Sequence, residues 1–325
     1  MTTKLPDRIS KELKLPVISA PMFLVSSPEL VIESCKAGIV GSFPSLNARS
    51  ETILEEWMER ICYELRAVKE SEPDRKVAPW AVNLIVHKSN KRYEKDLEIV
   101  KKYEPPIVIT SLGNPSDVIQ TVHSYGGLVF SDVSNVPHAR KAAATGVDGL
   151  ILVCSGAGGH AGTINSFAFA GAVREFWDGI TILAGCISSG RDVLASQVLG
   201  TDMAYMGTRF ISAKESFASD EYKGMLIDSA LDDLIYTDAF TGVKANYLKN
   251  SITNAGIDIE QLKSKEKVDL SSLNESGSKA WKDLWSAGQG VDQIQAVQTV
   301  SEIVDEIQEE YERAKEGLST PTTQK

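Results

Sequence analysis

Gly149-Leu-Ile-Leu-Val153 is an unbroken apolar run, and Cys154-Ser-Gly-Ala-Gly-Gly-His160-Ala-Gly162 follows it directly. Such a run predicts a strand that is buried on both faces, as strands of parallel sheets are. The four glycines between positions 156 and 162 would let a ligand approach the main chain closely. His160 adds the side chain whose unperturbed pKa lies nearest to neutral pH. We interpret this junction as a candidate site, with a plain turn as the alternative.

Seven further apolar runs surround this one, and amphipathic helical stretches separate them. The eight runs in chain order are 15–21, 38–43, 79–86, 106–110, 127–132, 148–153, 180–185 and 202–207. This alternation predicts an α/β protein built as a (β/α)8 TIM barrel. A doubly wound open sheet is the alternative, but its usual Gly-x-Gly-x-x-Gly turn is missing after the first run.

The barrel pattern ends near Lys214, which predicts further regions beyond residues 1–214. Residues 215–285 are more polar, and we expect a smaller, mostly helical insertion that covers one barrel mouth. A disordered linker is the weaker alternative, because this stretch contains several large apolar residues. Residues 286–316 should contain a C-terminal helix, over about 293–315, that packs back on the barrel through residues at helical spacing. We expect 317–325 to be a frayed tail. The apolar positions of the helix are Ile294, Val297, Val300, Ile303, Val304 and Ile307.

Composition excludes several classes of function. The net charge of −10 over 325 residues argues against a nucleic-acid partner, which needs clustered Lys and Arg. No apolar run is long enough to span a membrane, and the N-terminus lacks a signal-peptide core, which favours the cytoplasm. The four cysteines are scattered without metal-ligand spacing, so we expect reduced thiols and no metal. The sequence leaves open whether the chain forms a homodimer.

Two loops in the second half of the barrel predict an anion site. Active sites of such barrels lie at the carboxyl ends of the strands, and phosphates often bind after strands seven and eight. The corresponding stretches here are Gly185-Cys-Ile-Ser-Ser-Gly190 and Met206-Gly-Thr-Arg-Phe210. Both place glycines and small hydroxyls directly before helices, where main-chain N–H groups converge. A phosphate-bearing ligand is therefore expected, with tight turns as the alternative.

Other strand ends contribute polar or small groups. Asn83 lies among apolar neighbours, so its amide needs a partner, either a flavin ring edge or neighbouring main chain. Asp132 could orient a catalytic group, but capping the next turn is the simpler interpretation. Cys154 could be a nucleophile, although its apolar strand favours an inert buried thiol. Neither a Walker motif nor a nucleophile elbow appears.

Several motifs together resemble the nitronate monooxygenase family, formerly called 2-nitropropane dioxygenases, to which flavin-type enoyl-acyl-carrier-protein reductases are related. The motifs cover about residues 15–215, with a weaker echo at 240–242 and 287–290. They are Ala20-Pro-Met22, Ala81-Val-Asn-Leu84, Ala157-Gly-Gly-His-Ala-Gly162, Ala184-Gly185 with Ser189-Gly-Arg191, and Met206-Gly-Thr-Arg-Phe210.

The resemblance implies an FMN cofactor and His160 as the catalytic residue. The family's flavin-contacting asparagine matches Asn83, and its phosphate-binding elements match Gly185 and residues 206–208. The strand ends and the resemblance together give the candidate cofactor-binding set: Ala20, Pro21, Met22, Asn83, Ser131, Gly158, Gly159, Gly185, Cys186, Met206, Gly207 and Thr208.

The implied reaction is oxidation of an alkyl nitronate or nitroalkane by O2 to a carbonyl compound and nitrite. The alternative on the same flavin is an NAD(P)H-dependent reductase of quinones or enoyl thioesters. A sugar-phosphate isomerase or synthase and a non-catalytic binding barrel stay open. Three positions depart from the family pattern, since Val153, Gly156 and Cys186 stand where relatives often have glutamine, glutamate and glycine.

Overall fold

Eight parallel strands close into a barrel in the computed structural model of the chain, which describes residues 3–264 and 284–319. The first and last barrel strands pair, with Ile18 opposite Tyr205, so the (β/α)8 prediction is confirmed and the open sheet is wrong. All strands in chain order are β1 Val17–Ser19, β2 Val40–Pro44, β3 Trp80–Ile85, β4 Ile107–Ser111, β5 Leu128–Val133, β6 Gly149–Val153, β7 Gly159–His160, β8 Ile180–Ala184, β9 Met203–Met206, β10 Leu234–Thr237 and β11 Ala245–Leu248.

Helices follow the barrel strands, and short polar caps set where several of them begin. Ser27 accepts a hydrogen bond from the Leu30 amide with Pro28 at the first helical position, as the Ser-Pro pair predicts. The helices in chain order are α1 Asp7–Ser10, α2 Pro28–Lys36, α3 Glu51–Ser71, α4 Tyr93–Tyr103, α5 Ser116–Ser124, α6 Val136–Ala143, α7 Ser166–Arg174, α8 Gly190–Val198, α9 Thr208–Ile211, α10 Asp220–Ile227, α11 Lys249–Asn254 and α12 Val300–Ser319. None of those within the described ranges has the length and apolar character needed to cross a bilayer.

Alternate residues of each strand face the barrel interior and the surrounding helices. In β5, Phe130 belongs to the interior cluster, whereas Val129 and Val133 pack in the outer layer against the helices. Asp132 therefore shares the interior face with Phe130. The same alternation places Asn83 of β3 and Ser111 of β4 inside the barrel, and Tyr205 of β9 packs against the interior cluster. The interior is thus apolar at its centre and polar at the carboxyl ends of these strands.

The region after the barrel contains a hairpin that the sequence did not predict. β10 and β11 are antiparallel, and β11 also pairs with β7, with Ala245 opposite His160 and Asn246 opposite Gly159. The expected helical character is present in α10 and α11. The remainder of the expected insertion, residues 265–283, lies outside the described residues.

The C-terminal helix begins later than the apolar spacing predicts. α12 starts at Val300 because Thr299 and Glu302 form a reciprocal cap: the Thr299 amide donates to the Glu302 carboxylate over 2.7 Å, and the Glu302 amide donates to the Thr299 hydroxyl. Val297 is 39% exposed and lies outside the helix. The helix extends through Ser319, three residues into the expected tail, and residues 320–325 lie outside the described part. It packs on α8 so closely that a Cβ at Gly190 would lie 2.0 Å from the Ile307 oxygen.

Candidate active site

The loop after β6 has a main-chain path that requires its glycines. Gly156 and Gly159 have φ of +87° and +64°, a left-handed region that other residues rarely adopt. A Cβ at Gly162 would lie 2.2 Å from the Val153 oxygen, so the loop returns tightly over the end of β6. The alternative of a plain turn after β6 therefore does not describe this loop fully, because the loop exposes main chain at the carboxyl end of the barrel.

The hairpin holds this loop through side-chain and main-chain hydrogen bonds, in addition to the pairing of β11 with β7. Asn246 Nδ2 donates to the Ala157 oxygen over 2.7 Å, and the Ala161 amide donates to the Lys244 oxygen over 3.3 Å. The Tyr236 hydroxyl donates to the Ala161 oxygen over 3.1 Å. The loop conformation therefore depends on a segment more than 70 residues further along the chain. None of these partners was predicted, although the weak match to the family at residues 240–242 lies in the hairpin turn.

His160 lies on β7, where burial lowers the pKa of its imidazole to about 4. The ring is therefore neutral at neutral pH. Its Nε2 lies 3.4 Å from the hydroxyl oxygen of Thr241, and that hydroxyl donates its own hydrogen to the Val243 oxygen over 3.1 Å. The Thr241 oxygen also accepts from the Val243 amide over 3.3 Å, so this hydroxyl links the imidazole to the turn of the hairpin.

The loops after β6 and β9 meet a third segment at 287–290. The Gly288 amide donates to the Thr208 hydroxyl over 2.8 Å, and the Gln289 amide donates to the Gly156 oxygen over 2.9 Å. A Cβ at Gly158 would lie 2.9 Å from the Gly288 nitrogen and 3.2 Å from the Thr208 hydroxyl. The structure therefore brings together Gly158 and Thr208, which come from two separate motifs, and adds Gly288.

Residues of the first and last strands also meet. A Cβ added at Gly207 would have only ordinary van der Waals contacts, at 3.6 Å from Met22 Sδ and 3.7 Å from Ala20 Cβ. Gly207 therefore lies against two other predicted residues, Ala20 and Met22. Asn47 fixes the loop after β1, because its Nδ2 donates to the main-chain oxygens of Met22 and Ser26.

The loop after β8 differs in part from the predicted phosphate site. The Ser188 and Ser189 amides donate to the Asp192 carboxylate, each over 3.0 Å, and the Gly190 amide donates to Glu310 over 2.7 Å. The N-terminus of α8 is thus already occupied by carboxylates, and its helix dipole is not available to an anion. Gly185 and Cys186, with φ of +115° and +57°, turn the preceding main chain towards Gly156, whose Cβ would lie 3.4 Å from Cys186 Cβ.

The two cysteines near the site stay protonated. Burial raises the pKa of Cys154 to about 12, in agreement with an inert buried thiol. Burial and the nearby Asp192 carboxylate raise the pKa of Cys186. Neither thiol is therefore an activated nucleophile.

A chain of hydrogen bonds crosses the polar end of the barrel interior. Asn83 Nδ2 donates to the Ser111 hydroxyl oxygen over 2.7 Å and to the Ile109 oxygen over 3.3 Å. Ser111 in turn donates to Asp132 Oδ2 over 2.6 Å. Burial raises the pKa of Asp132 to about 6. The capping role expected of Asp132 is wrong, because Asn135 caps α6 and Asp132 faces the interior.

Ser131 lies apart from the other candidates. Its side chain shares the outer face of β5 with Val129 and Val133, and it accepts a hydrogen bond from Thr110 over 3.2 Å. The position directly after it, Asp132, supplies the interior polar group. Sequence alternation was too short here to assign the faces.

The polar end of the barrel fits a heteroaromatic ring with N–H and carbonyl groups. Within the described ranges, Asp132 Oδ1 and the Tyr205 hydroxyl are sealed from solvent without a hydrogen-bond partner, an arrangement that costs free energy unless a ligand completes it. Three glycines, Gly158, Gly159 and Gly207, lie in the strand and loops at this end of the barrel. The described residues contain no group of three or more acidic, Cys or His side chains placed to hold a metal ion.

Comparisons with known proteins identify the family. A sequence model of the nitronate monooxygenase family matches residues 7–310. A nitronate monooxygenase from Paraburkholderia phytofirmans is 26% identical over 293 residues, covering 75% of this chain and 76% of that protein.

Two solved structures share the fold. FabK from Thermotoga maritima is 23% identical with a TM-score of 0.77, covering 98% of this chain and 99% of that one. Nitroalkane oxidase from Streptomyces ansochromogenes is 22% identical with a TM-score of 0.75, covering 95% and 99%. With the family match spanning nearly the whole chain, this protein belongs to the nitronate monooxygenase family of flavin-dependent oxidoreductases.

Proposed function

We propose that the protein uses FMN to oxidise alkyl nitronates or nitroalkanes with O2, giving a carbonyl compound and nitrite. The observation that carries this proposal is the position of His160, a neutral imidazole on the loop that meets Thr208 and Gly288. Family membership supports a flavin, and two of the similar proteins are a nitronate monooxygenase and a nitroalkane oxidase.

The residues that would hold FMN belong to loops and strand ends at the carboxyl end of the barrel. Main chain at 185–187 and 207–208 would face the phosphate, in place of the carboxylate-occupied start of α8. Asn83, Gly158 and Gly159 would face the ring, with Ala20, Pro21 and Met22 below the last strand's loop. When bound, FMN would supply the electron acceptor for the substrate and pass the electrons to O2.

His160 would handle the substrate's proton. A neutral imidazole has one ring nitrogen with a lone pair, and that nitrogen would be the base for the α-hydrogen of a neutral nitroalkane. A nitronate has already lost that hydrogen, so it would need only binding. Loss of His160 should therefore lower kcat/KM more for nitroalkanes than for nitronates.

Replacing His160 by Asn tests this role. Holoprotein would be assayed for O2 consumption and nitrite release with neutral 2-nitropropane and with its nitronate. H160N should lose about 100-fold or more of kcat/KM on the neutral form, the usual range for a general base, and less on the anion. H138N is the matched control, because His138 is exposed at the start of α6. Equal rates of H160N and H138N on both substrates would contradict the proposed role.

A further inference from the structure

The Asn83–Ser111–Asp132 chain has a fixed direction. The Asn83 amide carries two hydrogens, and both are used, one towards Ser111 and one towards the Ile109 oxygen. The Ile109 carbonyl can only accept, so it excludes the flipped amide. Asn83 Oδ1 takes no part in a hydrogen bond among the described residues, and Asn83 is 7% exposed. Asn83 therefore offers an acceptor, and only an acceptor, to whatever binds beside it.

Asp132 ends this chain in the barrel interior. Ser111 has one hydroxyl hydrogen, and donating it to Asp132 Oδ2 leaves its lone pairs for Asn83. On β9 the titratable group that faces Asp132 is the phenol of Tyr205, while its neighbour on β6, Ile151, is uncharged. Hydrogen bonds in such a chain polarise one another, and a charged acceptor at the end strengthens them.

Resting on the proposed function, we infer that Asp132 is a positioning residue that acts through Ser111 to make Asn83 Oδ1 the acceptor for a ring N–H of the bound flavin. Ser111 and Asp132 need not touch the flavin for this. Removing Ser111 would release one amide hydrogen of Asn83 and let the amide rotate. An Asn83–ring hydrogen bond of ordinary strength, about 0.5–1.5 kcal/mol, corresponds to about a two- to tenfold change in Kd.

Binding of FMN and of 3-methyl-FMN, whose imide hydrogen is replaced by methyl, tests the inference. S111A should raise the Kd of FMN about two- to tenfold but leave the Kd of 3-methyl-FMN unchanged, because the same hydrogen bond is already lost there. T110V is the matched control, since Thr110 bonds on the outer face of the same strand. Equal losses for both ligands, or none for either, would overturn the inference.

The pH dependence gives a second readout. Ionisation of Asp132 near pH 6 should strengthen the chain, so FMN affinity should rise more than 3-methyl-FMN affinity as pH increases from about 5 to 7. Both ligands carry the same phosphate, whose own ionisation near pH 6 cancels in the comparison. D132N keeps an acceptor for Ser111 but cannot ionise, and should abolish the difference. A difference that persists in D132N would contradict the inference.

A measurement without flavin separates this inference from the proposed function. In the apoprotein, the side-chain amide signals of Asn83 in ¹⁵N NMR, identified by their loss in N83D, should shift in S111A and titrate near pH 6. If they do so while no flavin binds, the chain stands and the proposed function fails. Unchanged signals in S111A would overturn the chain itself.

Discussion

Asn246 donates its side-chain N–H to the main-chain oxygen of Ala157 over 2.7 Å, across 89 residues of sequence. Asn246 is 3% exposed, and the next residue towards the N-terminus, Ala245, pairs with His160. The β10–β11 hairpin thus fixes both the glycine-rich loop and the imidazole. We infer that the region after the barrel helps to build the site, while its role in covering the barrel mouth stays a prediction.

N246A should therefore weaken both stability and activity. Removal of the Asn246 amide leaves the Ala157 oxygen without this donor, which should cost about 1–3 kcal/mol of unfolding free energy. The displaced loop should also lower kcat/KM. Chemical denaturation and turnover would measure the two effects. N250A is the control, because Asn250 is exposed on α11 and its loss should change neither quantity much.

G158A should disrupt the contact between the loops after β6 and β9. Its Cβ would lie 2.9 Å from the Gly288 nitrogen and 3.1 Å from the Ala287 carbonyl carbon, both main-chain atoms that cannot rotate away. We expect a loss of about 1–3 kcal/mol and weaker flavin retention on gel filtration. G171A is the control in α7, where nothing lies within 4 Å of the added Cβ. A G158A protein that equals G171A would show that the contact is unimportant.

The imidazole of His160 should produce a distinct stability profile. Its pKa is about 4 in the folded chain and 6.5 as a reference, so the unfolded state binds the proton first as pH falls. Wild type should therefore lose stability relative to H160N as pH falls from about 6.5 to 4. Denaturant titrations at half-unit pH steps would measure it. A constant difference across this window would contradict a buried neutral His160.

The carboxyl of Asp132 should act in the opposite sense. Burial raises its pKa from 3.8 to about 6, so the folded state holds the proton longer as pH rises. Wild type should lose stability relative to D132N as pH rises from about 4 to 6, by about 3 kcal/mol at the upper end. A stability difference that does not change over this range would show that Asp132 is not buried as described.

The barrel could be predicted from sequence because each strand carries its own local signal. Gly149–Val153 and the other runs are apolar throughout, and caps such as Ser27-Pro28 mark the helices that follow. The position of β10 was missed because Leu234–Thr237 is a four-residue strand whose partners are distant in sequence. The start of α12 could have been found, since Thr299-Val-Ser-Glu302 is a capping-box pattern.

The motifs of the candidate site could be recognised in the sequence, whereas the residues that hold those motifs in place could not. Gly158 and Thr208 belong to recognisable motifs, and they meet in the structure. The role of Asp132 was predicted wrongly because it depends on which face of β5 points into the barrel. A single sequence does not show this. The occupation of the α8 N-terminus by Glu310 depends on a helix that returns from the end of the chain. Whether the chain forms a homodimer stays open, and the exact substrate stays a prediction.

Anaerobic mixing of the purified holoprotein with one reductant at a time tests whether the flavin takes its electrons from a nitronate or from NAD(P)H. We expect the nitronate of 2-nitropropane to bleach the flavin absorbance within the turnover time, and NADH and NADPH to do so far more slowly. Admitting O2 should then restore the colour with release of nitrite. Rapid bleaching by NADH or NADPH, with none by the nitronate, would contradict this expectation and would identify a reductase on the same barrel.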